Sequence, residues 1–361
     1  MKKSFLLLFG VLSLCGCIKS ELPNIEVDIE KVTYDSSQGI TEVKITGSQI
    51  EIYLTESADE TNLSIDFVLA DGASVTPDPV TIKDYSTPQQ FTVTSEDCQW
   101  QKTYTVKTVS SDFPLQFNFE HWRQESFYFM PYEVQGSSET NIWACGNPAF
   151  SFAVNNKDWK AFPTQPTFDA YLAEGQSKDD ITESGMKPRA VLLTTKSTPD
   201  TNIPIAAGNL FIGKFNASHQ NTLECTYFGM PFRHKLLSVS GYYKYKSAGS
   251  TLKTGTDDEC KIQAVMFLAT EEIPHLDGTN LKDAPNIVGR GEWPSGKTTD
   301  GEGYHPFQFD ITYTKDINPE LLKAGAYKMS VIFSSSRNGD KFDGAVGSQL
   351  YIDNVTLTIE K

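Results

Sequence analysis

Apolar residues on alternate positions, in short runs broken by turn residues, recur from one end of this chain to the other. Ile25, Val27 and Ile29 share a face, as do Val43 and Ile45, then Ile50, Ile52 and Leu54, then Leu63, Ile65, Phe67 and Leu69. A side-chain period of two belongs to a strand with one face buried. The pattern continues through 115–119, 189–195, 236–245, 261–269, 307–313, 327–333 and 350–359. Nowhere does such a run pass into a long helical pattern and back, which excludes a parallel sheet wound with helices. One short helix is expected at 318–325, where Asn318 can cap, Pro319 suits the first turn and Gly325 ends it. The fold class is therefore all-β.

Ser110-Ser111-Asp112-Phe113-Pro114 reads as a boundary between two domains. Residues 25–110 carry short strands at close spacing and are expected to form an antiparallel sandwich with Trp100 in its core. The segments Val75-Thr76-Pro77, Phe91 to Asp97 and Trp100 to Tyr104 resemble the immunoglobulin-like spacer domains of Bacteroidetes surface lipoproteins. That resemblance implies a stalk. Residues 111–361 are expected to form a larger sandwich, most simply a jelly roll. Ala264-Val265-Met266-Phe267-Leu268 is continuously apolar, as a strand buried on both faces would be. The loops at 135–185 and 270–306 exceed what a connection needs and are expected to carry function.

Met1-Lys2-Lys3 opens an apolar run too short to span a bilayer, closed by Leu14-Cys15-Gly16-Cys17. This layout resembles a bacterial lipoprotein signal. The resemblance implies removal of residues 1–16, an acylated Cys17, a tether over 17–24, and an outer-membrane lipoprotein facing the cell surface or the periplasm. Membrane contact would then run through the acyl anchor alone. A net charge of −15 repels phosphate backbones and anionic headgroups, which argues against nucleic acid as a partner. Cys98, Cys145, Cys225 and Cys260 show no CxxC spacing, and the five histidines show no HxH or HExxH, so zinc is not expected. One disulfide or buried free thiols would both suit these cysteines.

Two carboxylates bracket the second domain: Glu120 in Phe117-Asn118-Phe119-Glu120-His121-Trp122, and Asp353 in Leu350-Tyr351-Ile352-Asp353-Asn354-Val355. Asp353-Asn354 breaks the alternation as a bulge would. Carboxylates brought together repel, and a hard cation with oxygen ligands relieves that. The pair resembles the structural calcium site of galactose-binding-like jelly rolls, so Glu120 and Asp353 are the expected metal ligands. Binding of loop backbone is the alternative.

Trp143 to Asn147, Ile205 to Phe215, Gly229 to Phe232, Gly241 to Tyr245 and Ser334 to Ser348 together are similar to the putative carbohydrate metabolism domain of Bacteroidetes lipoproteins. The resemblance implies a jelly roll and a glycan-related role, with no catalytic residues to carry over. In the Ser334–Ser348 loop, Arg337, Asn338, Asp340 and Asp343 offer sugar-type hydrogen bonds, though a tight structural turn explains them equally. Pyranose C–H faces pack on flat aromatic rings, which nominates Trp293 in its polar loop, then Trp143, Trp159 and Tyr304; Trp122 reads as core. No GxSxG, paired His or phosphate loop is present. The expected function is noncatalytic glycan binding. A glycoside hydrolase on the same sandwich, using two loop carboxylates, and an adhesion protein binding another protein are the alternatives.

Overall fold

The computed structural model describes residues 24–55, 58–110, 113–135, 138–154, 158–179 and 187–360. Cys17 and the segment before it lie outside these. The chain divides into two compact units, Met1–Ser111 and Asp112–Lys361.

Among its described residues the first unit has seven strands: β1 (Ile29–Tyr34), β2 (Ile40–Thr46), β3 (Gln49–Leu54), β4 (Ile65–Leu69), β5 (Ser74–Thr76), β6 (Gln89–Thr94) and β7 (Gln101–Ser110). They form a sheet in the order β2-β3-β7-β6-β5 and a β1–β4 pair, with β3 and β7 parallel. Alternate residues such as Ile50, Ile52, Leu54, Ile65, Phe67, Phe91, Val93, Tyr104 and Val106 fill the space between. Three expectations need correction. The sandwich is not wholly antiparallel, since β3 and β7 pair in parallel. Trp100 is 58% exposed rather than core, because it lies in the turn that joins β6 to β7. The first strand also starts only at Ile29, and Ile25 is exposed.

The second unit contributes β8 (Gln116–Phe117), β9 (Trp143–Ala144), β10 (Thr164–Thr167), β11 (Ala190–Thr194), β12 (Asn209–Phe215), β13 (Leu236–Lys246), β14 (Lys261–Leu268), β15 (Ile287–Glu292), β16 (His305–Asp310), β17 (Thr312–Tyr313), β18 (Tyr327–Ser334) and β19 (Gln349–Ile359). One sheet runs β9-β12-β18-β14-β15-β17, and the other runs β10-β11-β19-β13-β16 with β8 beside β19. The inner faces meet in one core. Leu210, Ile212, Ala264, Met266, Met329, Val331 and Phe333 come from the first sheet, and Val239, Tyr243, Phe307, Leu350, Ile352 and Val355 from the second. Trp122 is in this core, as expected.

Strand β14 shows why its sequence is continuously apolar. Ala264 and Met266 face the inter-sheet core. Val265 and Phe267 face outward, into a second cluster with Phe211, Phe228, Leu276, Ala284, Ile287 and Ile332. Part of the 270–306 stretch thus acts as a cover over one end of the outer face, and part of it is β15. The short helix forms at Pro319–Lys323, with Asn318 accepting from the Glu320 and Leu321 backbone N–H groups at 2.9 and 3.2 Å.

Candidate functional site

The apolar cover stops partway along the outer face of the first sheet. Past its edge the strand registers bring polar residues together. Asn209 pairs with Ser334, Ser334 with Lys261, and Gln263 with both Ile332 and Glu292. Alternation then puts Asn209, Ser334, Lys261, Gln263, Arg290 and Glu292 on the same outward face as Phe211 and Ile332. A register shift between β14 and β15 near Val288 sets this parity: Val288 turns to the core while Arg290, opposite Val265, turns outward. The result is a cleft of about 680 Å³ with an apolar floor that includes Phe211, Phe228 and Ile332. Helix α1 (Asn147–Ala153) contributes Ala149, Phe150 and Ala153 to one wall, and Arg337 to Phe342 form another.

Close backbone approach builds that second wall. A Cβ added at Gly208 would meet the Thr194 N at 2.4 Å, and one at Gly339 would meet the Ala207 Cβ at 2.5 Å. Glycine is required at Gly208 because its backbone presses on Thr194 and Pro163, and at Gly339 because the loop presses on Ala207. The loop is tied from below by a buried polar network. Thr195 Oγ1 lies 2.7 Å from Ser335 Oγ and 2.6 Å from Ser336 Oγ, and Asp258 accepts from Ser336 Oγ at 2.7 Å and Ala345 N at 2.8 Å. Burial pushes the Asp258 carboxyl up from its ordinary value. A satisfied network of this kind fixes one loop conformation.

Arg337 crosses from the loop to its neighbours. Its Nε lies 3.0 Å from Glu259 Oε2, its Nη1 binds Glu292 Oε1, and its backbone N–H donates to Glu259 O at 2.6 Å. Lys261 Nζ lies 3.9 Å from Glu292 Oε2. The polar loop around Trp293 and the Ser334–Ser348 loop, nominated separately in the sequence, therefore meet at the Arg337–Glu292 pair.

The nominated residues do not all gather there. Arg337, Asn338 and Asp340 line the cleft, with Asp340 exposed. Asp343 is 2% exposed and serves the loop itself, accepting from Lys253 N at 2.7 Å and Thr254 Oγ1 at 2.9 Å. Trp143 is a core residue rather than a platform. It is 5% exposed, donates its indole N–H to Glu133 Oε1 at 2.7 Å and packs edge-on against Phe117. Trp293 is half-buried against the core, edge-on to Tyr243 with centroids 6.0 Å apart. Its polar surroundings come from the neighbours in sequence, while the ring itself turns inward beside Phe307. Trp159 is half-buried against Phe129, outside the cleft lining. Asn209, Lys261, Gln263 and Arg290 are not among the nominated residues: Lys261 and Gln263 are polar positions of the strand expected at 261–269, while Arg290 lies on a strand inside the stretch expected to be a loop.

Tyr304 lies on the other sheet's side of the unit. Its ring is edge-on to Tyr171, which stacks on Tyr242 at 3.6 Å, and its hydroxyl donates to Asp169 O at 2.6 Å. Beside this cluster sits Asp353, paired in register with Tyr242. The β13–β19 register shift between Ser240 and Tyr242 is the bulge expected at Asp353-Asn354, and Asn354 takes φ 46. Asp353 is 2% exposed and accepts from the Tyr171 and Asn354 N–H groups, each at 2.8 Å. Burial pushes its carboxyl up to about 8, against those hydrogen bonds and with a further push from the charge of Glu120. Glu120 accepts from Arg189 N at 3.2 Å. The two carboxylates thus come within mutual influence, an arrangement whose charge and oxygen donors suit a hard cation. Among the described residues no third Asp, Glu, His or Cys joins them, so further ligands would be neutral oxygens or water.

Cys145, Cys225 and Cys260 are buried free thiols and Cys98 is an exposed one. No described helix is long and apolar enough to cross a membrane.

This architecture is shared with known proteins. The chain is similar to a crystal structure of a putative glycoside hydrolase from Bacteroides thetaiotaomicron, with 33% identity and a TM-score of 0.64 over 95% of this chain and 99% of that one. A putative glycoside hydrolase from Bacteroides vulgatus shows 29% identity and a TM-score of 0.58, over 69% of this chain and 99% of its own. Among curated proteins there is no match. Residues 30–108 match the N-terminal domain of the surface glycan-binding proteins of Bacteroidetes. Residues 118–358 match the model described as Putative carbohydrate metabolism domain, and the chain belongs to that family.

Proposed function

We propose that the protein is a lipid-anchored glycan-binding protein of the cell envelope, and that the cleft beside the 334–342 loop holds the saccharide without cleaving it. The observation that carries this is the cleft itself: an apolar floor including Phe211, flanked by in-register polar side chains and a rigidly tied loop. Concave sites with apolar lining and a few placed polar groups are where small ligands bind. The glycan theme of both family models supports the same reading.

A glycoside hydrolase is the second reading, favoured by the names of the two Bacteroides relatives and by Glu292 and Asp340 both lining the cleft. Against it, a general acid must carry its proton at working pH. Among the described residues, burial pushes up the carboxyls of Glu133, to about 7, Asp258 and Asp353. None of the three lines the cleft. Glu292 is engaged by Arg337 and Lys261.

Titration of the purified chain against a polysaccharide panel, with reducing ends followed in parallel, tests the choice. Gln263→Ala should weaken binding about five- to tenfold, the worth of one or two hydrogen bonds, while melting stays unchanged. New reducing ends that vanish on Glu292→Gln or Asp340→Asn would establish the hydrolase instead. The anchor has its own check. Cys17→Ala should leave the chain unacylated and move it from the membrane to the soluble fraction; unchanged fractionation and mass would remove the lipid from the account.

A further inference from the structure

The charge of the cleft opposes that of the chain. The whole sequence carries −15. Yet Lys261, Lys282, Arg290, Arg337 and Lys341 line this one depression, against only two carboxylates, Glu292 and Asp340. Arg337 and Lys261 are engaged with Glu292. Lys282, Arg290 and Lys341 form no ion pair among the described residues, and all three are exposed. Arg290 spends one N–H on Leu281 O at 3.2 Å, which holds its guanidinium at the cleft's edge.

Arg290 also lies where the cleft continues. A second depression of about 380 Å³ shares Gln263, Leu281, Arg290 and Glu292 with the first and runs on to Asp310 and Thr312. A groove made of two connected depressions suits a chain of several sugars rather than one ring. A guanidinium at the junction can take a carboxylate or sulfate in paired N–H···O bonds. The two depressions together hold five cations against three carboxylates, Glu292, Asp340 and Asp310, and low-dielectric walls with an excess of one sign raise the local concentration of the opposite sign.

We propose that the saccharide held in this groove is anionic, carrying uronate carboxylates or sulfate groups that meet Arg290, Lys282 and Lys341. The inference rests on the glycan-binding reading and narrows its ligand class. Neutral glycans need none of these three cations. A chain this acidic also repels polyanions elsewhere on its surface, so nonspecific ion exchange is a poor substitute explanation.

The full purified chain is titrated at 50 and 500 mM NaCl with three sets of oligosaccharides. Oligogalacturonate is compared with its carboxyl-reduced form, chondroitin sulfate oligosaccharides with their desulfated form, and neutral galactan and xylan fragments complete the set. Expected is at least tenfold tighter binding of one acidic form than of its neutralised partner at low salt, falling steeply at high salt. The partner pair that shows it separates carboxylate from sulfate. Lys282→Gln with Arg290→Gln should reduce that preference at least tenfold with an unchanged melting temperature, since both side chains are exposed. Tight binding of neutral fragments without an acidic preference would overturn the proposal and leave glycan binding intact. Acidic binding indifferent to the double variant would move the ligand away from this groove. Failure of every saccharide to bind would overturn both.

Discussion

Trp293→Ala is expected to lower the stability of the second unit by about 3 kcal/mol, the scale of removing a large aromatic side chain from packed surroundings. For a unit of this size that is roughly 6–12 °C in melting temperature. The ring packs against Tyr243 and Phe307, both of which are buried, and the Trp293 backbone N–H donates to Ile262 O at 2.9 Å. Its indole N–H is buried and has no acceptor among the described residues. Leaving a buried donor unmet costs about 1–3 kcal/mol, so Trp293→Phe removes that cost along with some area and should fall within about 1 kcal/mol of the parent. Trp293→Phe should also keep glycan affinity within about twofold. A sugar platform gives the opposite pattern: Trp293→Ala would melt normally and bind poorly. Thermal melts and titrations on the two variants distinguish these outcomes directly.

Trp293 marks where the sequence is legible and where it is not. Inward-facing alternation is written in residue type, so β13, β14, β18 and β19 could be read almost to their ends. A buried strand with two apolar faces, such as Ala264–Leu268, could be read for the same reason. Loop residues carry no periodicity. Trp293, in Gly-Glu-Trp-Pro-Ser-Gly, looks solvated until Glu292 is seen bound to Arg337 and Cys260 N–H to Gly296 O, which fold the loop back on the core. Trp143 misled through its neighbours too, since the carboxylate that meets its indole N–H, Glu133, stands ten residues earlier. The cleft was half legible. The 334–348 loop announces itself by Gly, Ser, Asn and Asp, whereas Lys261, Gln263 and Arg290 become a set only when β14 and β15 are placed in register. The polar positions of β14 could have nominated Lys261 and Gln263, had both faces been followed rather than the apolar one, whereas Arg290 belongs to a strand hidden in a stretch that reads as loop.

Asp353 should make the chain less stable as pH rises from about 4 to about 8 when no divalent cation is present. Its carboxyl sits at about 8 in the folded state, against an ordinary value of 3.8. Across that interval the folded state holds a proton that the unfolded state has released, so stability falls with pH. Each unit of displacement is worth about 1.4 kcal/mol, which puts the loss on the order of a few kcal/mol. Glu133, at about 7, acts in the same direction, so its contribution is subtracted with Glu133→Gln. Asp353→Asn should flatten the remaining slope and match or exceed the parent's stability at pH 8, because an amide oxygen can still accept from Tyr171 N–H without a buried charge. Calcium reverses the comparison. We propose that an ion shared by Asp353 and Glu120 offsets their repulsion, and at a hundredfold excess over Kd it would stabilise the fold by about 2.7 kcal/mol. The parent should then gain in melting temperature with calcium and lose the gain with chelator, while Asp353→Asn and Glu120→Gln gain little. A parent melt indifferent to calcium and chelator, with the pH slope intact, would leave Asp353 a strained buried acid that binds only the Tyr171 and Asn354 backbone. A slope unchanged in Asp353→Asn would place the titrating group elsewhere.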